Sequence, residues 1–394
     1  MPNERGRCIV VLACLILLGR APVHAQESLV DTLSFLLTTQ AVRTGDFVRD
    51  ERSAEVTRDT IGRLLLTELT TTPLSSSSGG FSYRFNPEIG TVERASESFG
   101  PFFTERSLTV GTRYASLGAQ AQVARYTHLD SYNLRDGTFV TTANQFRDEA
   151  RPFDVESLTL ALNSTTVTLF GNIGVHDRID VGLAVPFVWL SLKGSRLNVY
   201  RGSSLVQARA TADAVGFGDV AVRGKINLVD RRGSGLAVIE EVRLPTGREE
   251  DLLGAGQASF RTVFIASSEA GRVAAHGNFG ATVGGLSNSL DYRGALTMSP
   301  VPQLTLVGEL MGRRIADLGS LAEERVRHPL LSGVDTIRLI STGESINTTA
   351  LVVGTKWNVS DTWLANVNVS IPLSNRGLRS DVLVVFGVDY SFER

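Results

Sequence analysis

The chain has 394 residues, of which 42% are apolar and 20% charged, and its formal net charge is −2. This composition excludes collagen-like, disordered and disulfide-stapled proteins. Because Lys and Arg are not in excess over Asp and Glu, we predict that nucleic acid is not a partner.

The first 25 residues have the features of a secretory signal peptide. Arg5 and Arg7 precede an apolar run at residues 8–18, and small residues lead up to Ala25. Such a segment predicts Sec-type export and cleavage near Ala25. A membrane anchor is the less favoured alternative, because a helix needs ~20 apolar residues to cross a bilayer.

Both cysteines of the chain, Cys8 and Cys14, lie in this signal segment. A mature chain without thiols can form no disulfide, thiolate metal site or cysteine nucleophile. Lipidation of Cys14 is an alternative, although the residues after it stay apolar, whereas the mature part of a lipoprotein turns polar.

Residues 26–106 precede the first predicted strand and form a separate N-terminal segment. They carry apolar residues at helical spacing, namely Leu29, Leu33, Leu36 and Leu37, then Val56, Ile61, Leu64, Leu65 and Leu69. Residues 73–80, with the sequence PLSSSSGG, are typical of a flexible linker.

Two interpretations of this N-terminal segment stay open. In one, it is a small helical cap packed under a barrel on the periplasmic side. In the other, residues 81–103 form a plug inside the lumen. The aromatic residues that would then line a route for apolar solutes are Phe81, Tyr83, Phe85, Phe99, Phe102 and Phe103.

Residues 107–394 alternate between apolar and polar positions, with no window of 18 apolar residues that would form a membrane helix. At the C-terminal end, Val384, Phe386 and Val388 face one way, and Gly387 and Asp389 the other. The alternation predicts twelve strands, at residues 107–129, 157–175, 179–193, 215–229, 235–245, 257–268, 273–285, 290–299, 303–314, 347–358, 362–373 and 379–392. Changes of phase at residues 115–118 and 162–165 predict β-bulges.

The connections between these strands indicate the fold class. Short connectors recur on one side, whereas most connectors on the other are long, which is the plan of an outer-membrane barrel. Open sheet edges are excluded in lipid, so the first strand must pair with the last. We therefore predict an all-β, transmembrane antiparallel β-barrel of about 12 strands over residues 107–394. Its expected partners are outer-membrane lipid, lipopolysaccharide and the barrel-assembly machinery.

The inner face of the predicted barrel collects charged and polar residues. The candidate lumen-lining residues are Asp219, Arg223, Lys225, Glu241, Arg243, Arg261, His276, Asp291, Arg293, Glu309, Arg313, Lys356 and Asp389. One interpretation is a ladder of cross-strand ion pairs that supports the wall. The other is a polar filter, in which Arg223, Lys225, Arg243 and Arg261 favour carboxylates or phenolates.

Two motifs resemble a known family. They are GFGDVAVRGKINLV from Gly216 and GLAVIEEVRLPTGREEDLLGAG at residues 235–256. Their order and spacing resemble the bacterial outer-membrane barrels of the meta-pathway of phenol degradation, over roughly residues 165–392. The resemblance implies a barrel related to hydrophobic-compound channels such as the fatty-acid and toluene uptake proteins. It implies no catalytic residues.

The sequence does not predict an enzyme, a cofactor or a metal site. His276 is the histidine that falls on a lumen face, and its neighbour Asn278 makes a polar wall position the favoured interpretation. We predict a channel for passive uptake of small hydrophobic or aromatic molecules. The alternative is a sealed structural or adhesive barrel that acts through its outer loops at residues 130–156 and 315–346.

Overall fold

The computed structural model describes residues 28–38, 41–71, 80–86, 91–231 and 234–394. The predicted signal segment and residues 73–79 of the predicted linker lie outside the described residues. The helices are α1 (Leu29–Thr38) and α2 (Phe47–Thr71). The strands are β1 (Tyr83–Asn86), β2 (Thr91–Arg94), β3 (Tyr114–Leu129), β4 (Tyr132–Asn133), β5 (Phe139–Phe146), β6 (Asp154–His176), β7 (Ile179–Tyr200), β8 (Ser203–Phe217), β9 (Val220–Arg231), β10 (Ser234–Leu244), β11 (Ser259–Ala270), β12 (Val273–Gly284), β13 (Ser289–Val301), β14 (Leu304–Ile315), β15 (Leu321–Arg327), β16 (Val334–Ser341), β17 (Ile346–Ser360), β18 (Trp363–Pro372), β19 (Leu378–Ser380) and β20 (Leu383–Glu393).

Twelve of the described strands form one closed antiparallel wall. In order around the barrel they are β3, β6, β7, β9, β10, β11, β12, β13, β14, β17, β18 and β20. The wall closes where Phe386 of β20 pairs with Ala121 of β3. Closure pairs the edge strands, as hydrocarbon requires. The predicted strand count and the pairing of first with last are confirmed.

The outer face of this wall is apolar and exposed. Leu296 is 65% exposed and Phe264 58% exposed, and large apolar side chains recur around the barrel. Such a continuous apolar surface is incompatible with water and marks a lipid-facing band. The protein is therefore a transmembrane barrel of the outer-membrane type. None of the described helices combines the length and apolar content needed to cross a bilayer.

The two ends of the barrel differ. At one end, connectors of two residues join β6 to β7, β11 to β12, β13 to β14 and β17 to β18. We call it the short-turn end, and short turns are periplasmic in outer-membrane barrels. The long-loop end carries β5, β15, β16 and the upper parts of β6, β7 and β8. Exposed Trp357 and Trp363 lie beside the turn at residues 361–362, where interfacial aromatics are expected.

Both predicted helices form, and polar side chains cap their first turns. The Ser28 hydroxyl accepts a hydrogen bond from the Asp31 amide at 3.0 Å, and Asp46 accepts one from the Arg49 amide at 3.2 Å. Such caps satisfy main-chain N–H groups that have no partner within the helix. The apolar stripes of α1 and α2 are buried, with Leu36 and Leu65 fully so.

The helices lie at the long-loop end, which corrects the expected cap on the periplasmic side. Leu36 of α1 packs over Gly194 of β7, where a Cβ atom would collide with it. In α2, the Ser53 hydroxyl donates to the Leu339 carbonyl of β16 at 2.7 Å. Apolar wall residues form one buried cluster with the helices at this end, among them Leu158, Leu160, Leu162, Leu190 and Leu192. The apolar faces of the two helices therefore pack against the apolar part of the inner wall.

The first strand and the predicted bulges also differ from expectation. β3 begins at Tyr114 and not at residue 107. The pairing of β3 with β6 runs without a shift from Ala115↔Ile173 to Tyr126↔Leu162, so the bulges predicted at residues 115–118 and 162–165 are absent from it. The apparent change of phase in β6 has another cause. Its inward side chains change from polar to apolar where the helices pack.

Candidate functional site in the barrel lumen

Residues 96–111, here called the lumen segment, lie inside the barrel. Their atoms hydrogen-bond inner-face side chains from strands around the wall, namely Asp180, Lys225, Asn227, Ser267, Asn278, Arg293, Thr297, Thr305, Glu309 and Lys356. A segment that contacts β7, β9, β11, β12, β13, β14 and β17 of a closed barrel must occupy its lumen. The lumen is therefore filled by a part of the chain that precedes the first wall strand.

Glu309 of β14 forms the most concentrated contact with the lumen segment. Its carboxylate accepts hydrogen bonds from the amides of Phe102, Phe103 at 3.1 Å and Thr104 at 2.8 Å. The Thr104 hydroxyl also donates to it, at 2.7 Å. Successive amides that converge in this way form a concave site for an anion. The wall supplies that anion, so Glu309 anchors the middle of the segment.

Cationic wall residues hold the carbonyls and the carboxylate of the same segment. The Lys356 ammonium donates to the Pro101 carbonyl at 2.7 Å. Lys225 donates to the Leu108 carbonyl at 2.7 Å, and Arg223 pairs with Glu105 at 3.1 Å. These three cations are therefore engaged by the lumen segment, although the sequence grouped Arg223 and Lys225 with Arg243 and Arg261 as a filter.

Polar groups nearer the short-turn end complete the attachment. The Asn278 amide both accepts from the Glu105 amide at 2.6 Å and donates to its carbonyl at 2.9 Å. The Val110 amide donates to Asp180 at 2.9 Å. Within the segment, burial lowers the pKa of the Arg106 guanidinium to about 10, and this group donates to the Ser98 carbonyl at 3.2 Å.

The aromatic residues of the N-terminal segment fill the lumen in this state. Phe102 and Phe103 pack on Val307, Val352 and Val385 of the inner wall. The other buried aromatic contacts are those of Phe81 and Phe99 with Leu364, and the stacking of Tyr83 on Tyr114 at 3.9 Å between ring centres. The side chain of Phe85 lies outside the described part of the structure.

A second group of charged residues lies closer to the long-loop end. Arg243 pairs with Glu241 at 2.9 Å. Arg261 donates twice to Asp291, at 3.1 and 2.6 Å. Arg293 lies 3.4 Å from Asp291 and donates to the Phe103 carbonyl at 2.7 Å, so it joins this group to the lumen segment.

Two cavities lie beside the C-terminal part of α2. The first has a volume of about 60 Å³ and is lined in part by Thr67, Arg243 and Arg261. The second has a volume of about 140 Å³, and Glu68 and Arg379 are among its lining residues. Arg313 lines both cavities. Burial raises the pKa of the Glu68 carboxyl, and the charge of Arg313 opposes this shift.

Asp219 has a local structural role. It accepts hydrogen bonds from the amides of Gly247 at 3.1 Å and Ala255 at 2.8 Å. The Thr246 hydroxyl donates to the Gly218 carbonyl at 2.8 Å. The Gly-x-Gly-Asp motif and the Leu-Pro-Thr-Gly motif are therefore bonded to each other, and together they position the loop at residues 245–258.

The remaining candidates, His276 and Asp389, are buried wall residues. His276 Nδ1 lies 2.9 Å from the Ser267 hydroxyl, which in turn accepts from the Ser107 amide at 2.9 Å. Asp389 lies against Gly118, where an added Cβ would be 2.8 Å from its Oδ1. In the described ranges no three His, Cys, Asp or Glu side chains are grouped so that they could hold a metal ion.

Sequence reasoning missed several residues of the lumen. Glu105 of the lumen segment pairs with Arg223, and Asp180 of the wall accepts from the Val110 amide of the segment. Arg376 and Arg379 line the larger cavity. Alternation marked Asp180 as inward-facing, so this residue could have been found. Arg376 lies in a connector and carries no periodic signal.

The filter interpretation of Arg243 and Arg261 gives a measurable prediction. Because each arginine is paired with a carboxylate, charge reversal would place two acids together, so neutral substitutions are the cleaner test. We expect Arg243→Gln and Arg261→Gln to shift the reversal potential toward cation selectivity in planar bilayers under a KCl gradient. Unchanged reversal potentials would reject the filter.

One family model matches part of the chain. The family model described as "Putative MetA-pathway of phenol degradation" matches residues 130–299. No curated protein matches the chain.

Several solved structures are similar to this chain. The COG4313 outer membrane channel from Pseudomonas putida F1 is 12% identical, with a TM-score of 0.46 over 73% of this chain and 98% of that one. The KdgM porin is 9% identical, with a TM-score of 0.35 over 61% and 99%. The P. putida toluene transporter TodX is 10% identical, with a TM-score of 0.33 over 71% and 90%.

The matched residues contain both motifs on which the family was predicted, the Gly-x-Gly-Asp motif at residues 216–219 and the Leu-Pro-Thr-Gly turn at residues 244–247. The resemblance to the outer-membrane barrels of the meta-pathway of phenol degradation is therefore confirmed over the matched residues 130–299.

Proposed function

We propose that the protein is a passive outer-membrane channel for small hydrophobic or aromatic molecules, and that its own lumen segment closes it. The observation that carries this proposal is the filling of the lumen by a piece of chain that precedes the first wall strand. Wall side chains can fill a barrel of about 8 strands, but a wider barrel leaves space. Here residues 96–111 occupy that space and are attached to the wall by hydrogen bonds. In this proposal, displacement of these residues opens the channel.

The apolar part of the inner wall supports the proposed solute class. Val307, Val352 and Val385 are buried under Phe102 and Phe103. Displacement of the segment would uncover this patch between Glu309 and Lys356. An apolar surface with a few placed polar groups is typical of sites for small organic molecules.

The proposal includes the cellular location and the partners of the protein. Sec-type export with cleavage near Ala25 would deliver the mature chain to the barrel-assembly machinery. Insertion would then place the long-loop end among lipopolysaccharide molecules. The chain acts in this proposal as a channel and not as an enzyme.

The test uses proteoliposomes with lipopolysaccharide in the outer leaflet. N-phenyl-1-naphthylamine is a small apolar aromatic molecule that fluoresces on leaving water, and glucose uptake by swelling reports a general leak. We expect the chain from residue 26 to admit the aromatic probe faster than protein-free vesicles, and the chain from residue 112 to admit both solutes. An absence of flux from both chains would favour the sealed structural or adhesive barrel.

A further inference from the structure

The larger cavity beside α2 has features of a ligand site that the channel proposal does not use. We call this volume of about 140 Å³ the arginine cavity. It lies between Glu68 of α2, the inner faces of β13, β14 and β17, and the chain from Pro372 to Leu383. These elements meet at the long-loop end of the lumen, where a solute arrives from outside.

The charges around the arginine cavity favour an anion. Four arginines line it, the half-buried Arg293, Arg313 and Arg379 and the exposed Arg376, against the two carboxylates of Glu68 and Asp291. The formal charge of this lining is therefore +2 when both acids are ionised. Asp291 is already bonded to Arg261 at 2.6 Å. Inside a barrel wall, where water screens less, an excess of positive charge attracts an anion more strongly than it would at a surface.

Arg379 gives a second, independent indication of a ligand. Its Nε atom is buried and has no hydrogen-bond partner among the described residues. A buried donor without an acceptor is costly, and a guanidinium group can bind a carboxylate through two parallel hydrogen bonds. A carboxylate in the cavity would supply the missing acceptor.

Apolar side chains also line the arginine cavity. Met311, Leu378 and Leu383 contribute to the lining together with Pro372. A cavity of ~150 Å³ is large enough to hold benzene in another protein. The arginine cavity therefore has about the size of one six-membered ring, and its lining contains both cations and apolar side chains.

We propose that the arginine cavity binds a small aromatic carboxylate of the size of benzoate. Arg379 and Arg313 contact the carboxylate, and Met311 and Leu383 contact the ring. This inference rests on the proposed channel function, since the bound molecule is taken to be a solute on its way through the lumen. It narrows the solute class from aromatic molecules to aromatic acids.

The test is calorimetric titration of the purified chain from residue 26 with benzoate, benzyl alcohol and acetate at constant ionic strength. We expect benzoate to bind at least ~10-fold more tightly than benzyl alcohol, which lacks the charge, and than acetate, which lacks the ring. Arg379→Gln should weaken benzoate binding ~10-fold or more. The matched control is Arg314→Gln, since Arg314 is the next residue to Arg313 on β14 but is exposed on the outer face. It should leave benzoate affinity unchanged.

Equal affinity for benzoate and benzyl alcohol, or equal loss in both arginine variants, would overturn the proposed site. Both variants are first checked for the heat-modifiable gel mobility of a folded barrel. Calorimetry does not require transport, so the two proposals fail separately. Probe flux without benzoate binding would reject the aromatic-acid site and leave the channel proposal standing. Benzoate binding without flux of any solute would reject the channel proposal.

Discussion

Replacing Glu309 with alanine is expected to release the lumen segment and raise the conductance of the barrel. The substitution removes the acceptor for the amides of Phe102, Phe103 and Thr104 and for the Thr104 hydroxyl. Hydrogen bonds to a charged group contribute roughly 1.5–3 kcal/mol each, and the donors would be left buried. We expect a loss of at least ~3 kcal/mol in the attachment, or ~100-fold in the closed-to-open ratio.

Single-channel recording of the Glu309→Ala variant in planar bilayers measures this change as longer and more frequent open events. Hydrogen exchange of the amides at residues 102–104 should accelerate in parallel. The control is Glu324→Ala, which removes an exposed carboxylate from β15. Equal conductance in the two variants, with accelerated exchange only in Glu309→Ala, would show that the segment is not what closes the pore.

Replacing Arg196 with leucine is expected to loosen the helices at the long-loop end. The side chains of Arg196 and Glu156 are 0% and 1% exposed and lie 3.1 Å apart. Glu156 also accepts a hydrogen bond at 2.8 Å from the amide of Ala41, which follows α1. Removing one partner from a buried ion pair costs roughly 3–5 kcal/mol, because the other charge stays buried and unpaired.

The measurement is hydrogen exchange across α1, with urea-dependent loss of the helical signal as a second readout. Arg196→Leu should increase exchange in α1 while the barrel wall stays protected. The double variant with Glu156→Leu should recover part of the lost stability against urea, since no unpaired charge remains, but α1 should still exchange faster than in the wild type, because the Ala41 amide loses its acceptor. Equal protection of α1 in the wild-type and Arg196→Leu chains would contradict the proposed role of this pair.

The barrel wall could be predicted from the sequence because lipid and backbone chemistry impose it. An outer face in hydrocarbon requires apolar residues at alternate positions, as in Val384, Phe386 and Val388 of β20. Unpaired backbone groups are excluded there, so closure between β20 and β3 followed without knowledge of any side-chain contact.

The contacts of the barrel interior could not be predicted in the same way. The inner wall residues contact the helices and the lumen segment, and the alternating pattern does not reveal those contacts. Leu158, Leu160 and Leu162 face inward and are apolar because helices cover them, yet in the sequence they resemble a change of phase. Likewise residues 107–111 belong to the lumen segment, although residues 107–113 continue the alternating pattern of a wall strand.

In the candidate site, too, the positions of the wall residues could be predicted but their contacts could not. Charged positions on the wall strands, such as Glu309 and Lys356, followed from alternation. The role of these residues could not be predicted in this way. They bind main-chain atoms of the lumen segment, and every residue type has those atoms, so the sequence carries no signal for the contact. Arg376 and Arg379 come from the chain around β19, and only the fold brings them beside Arg313.

A disulfide between the lumen segment and the wall tests the central claim most directly. The Ser98 hydroxyl lies 2.9 Å from the Thr297 hydroxyl of β13, so cysteines at both positions can form a bond. The chain from residue 26 contains no other cysteine. If displacement of the segment opens the channel, aromatic-probe flux of the Ser98→Cys/Thr297→Cys chain will fall to the protein-free level when oxidised and return on reduction. Each single-cysteine chain will be indifferent to the oxidant. Equal flux from the oxidised and reduced double variant would contradict the account.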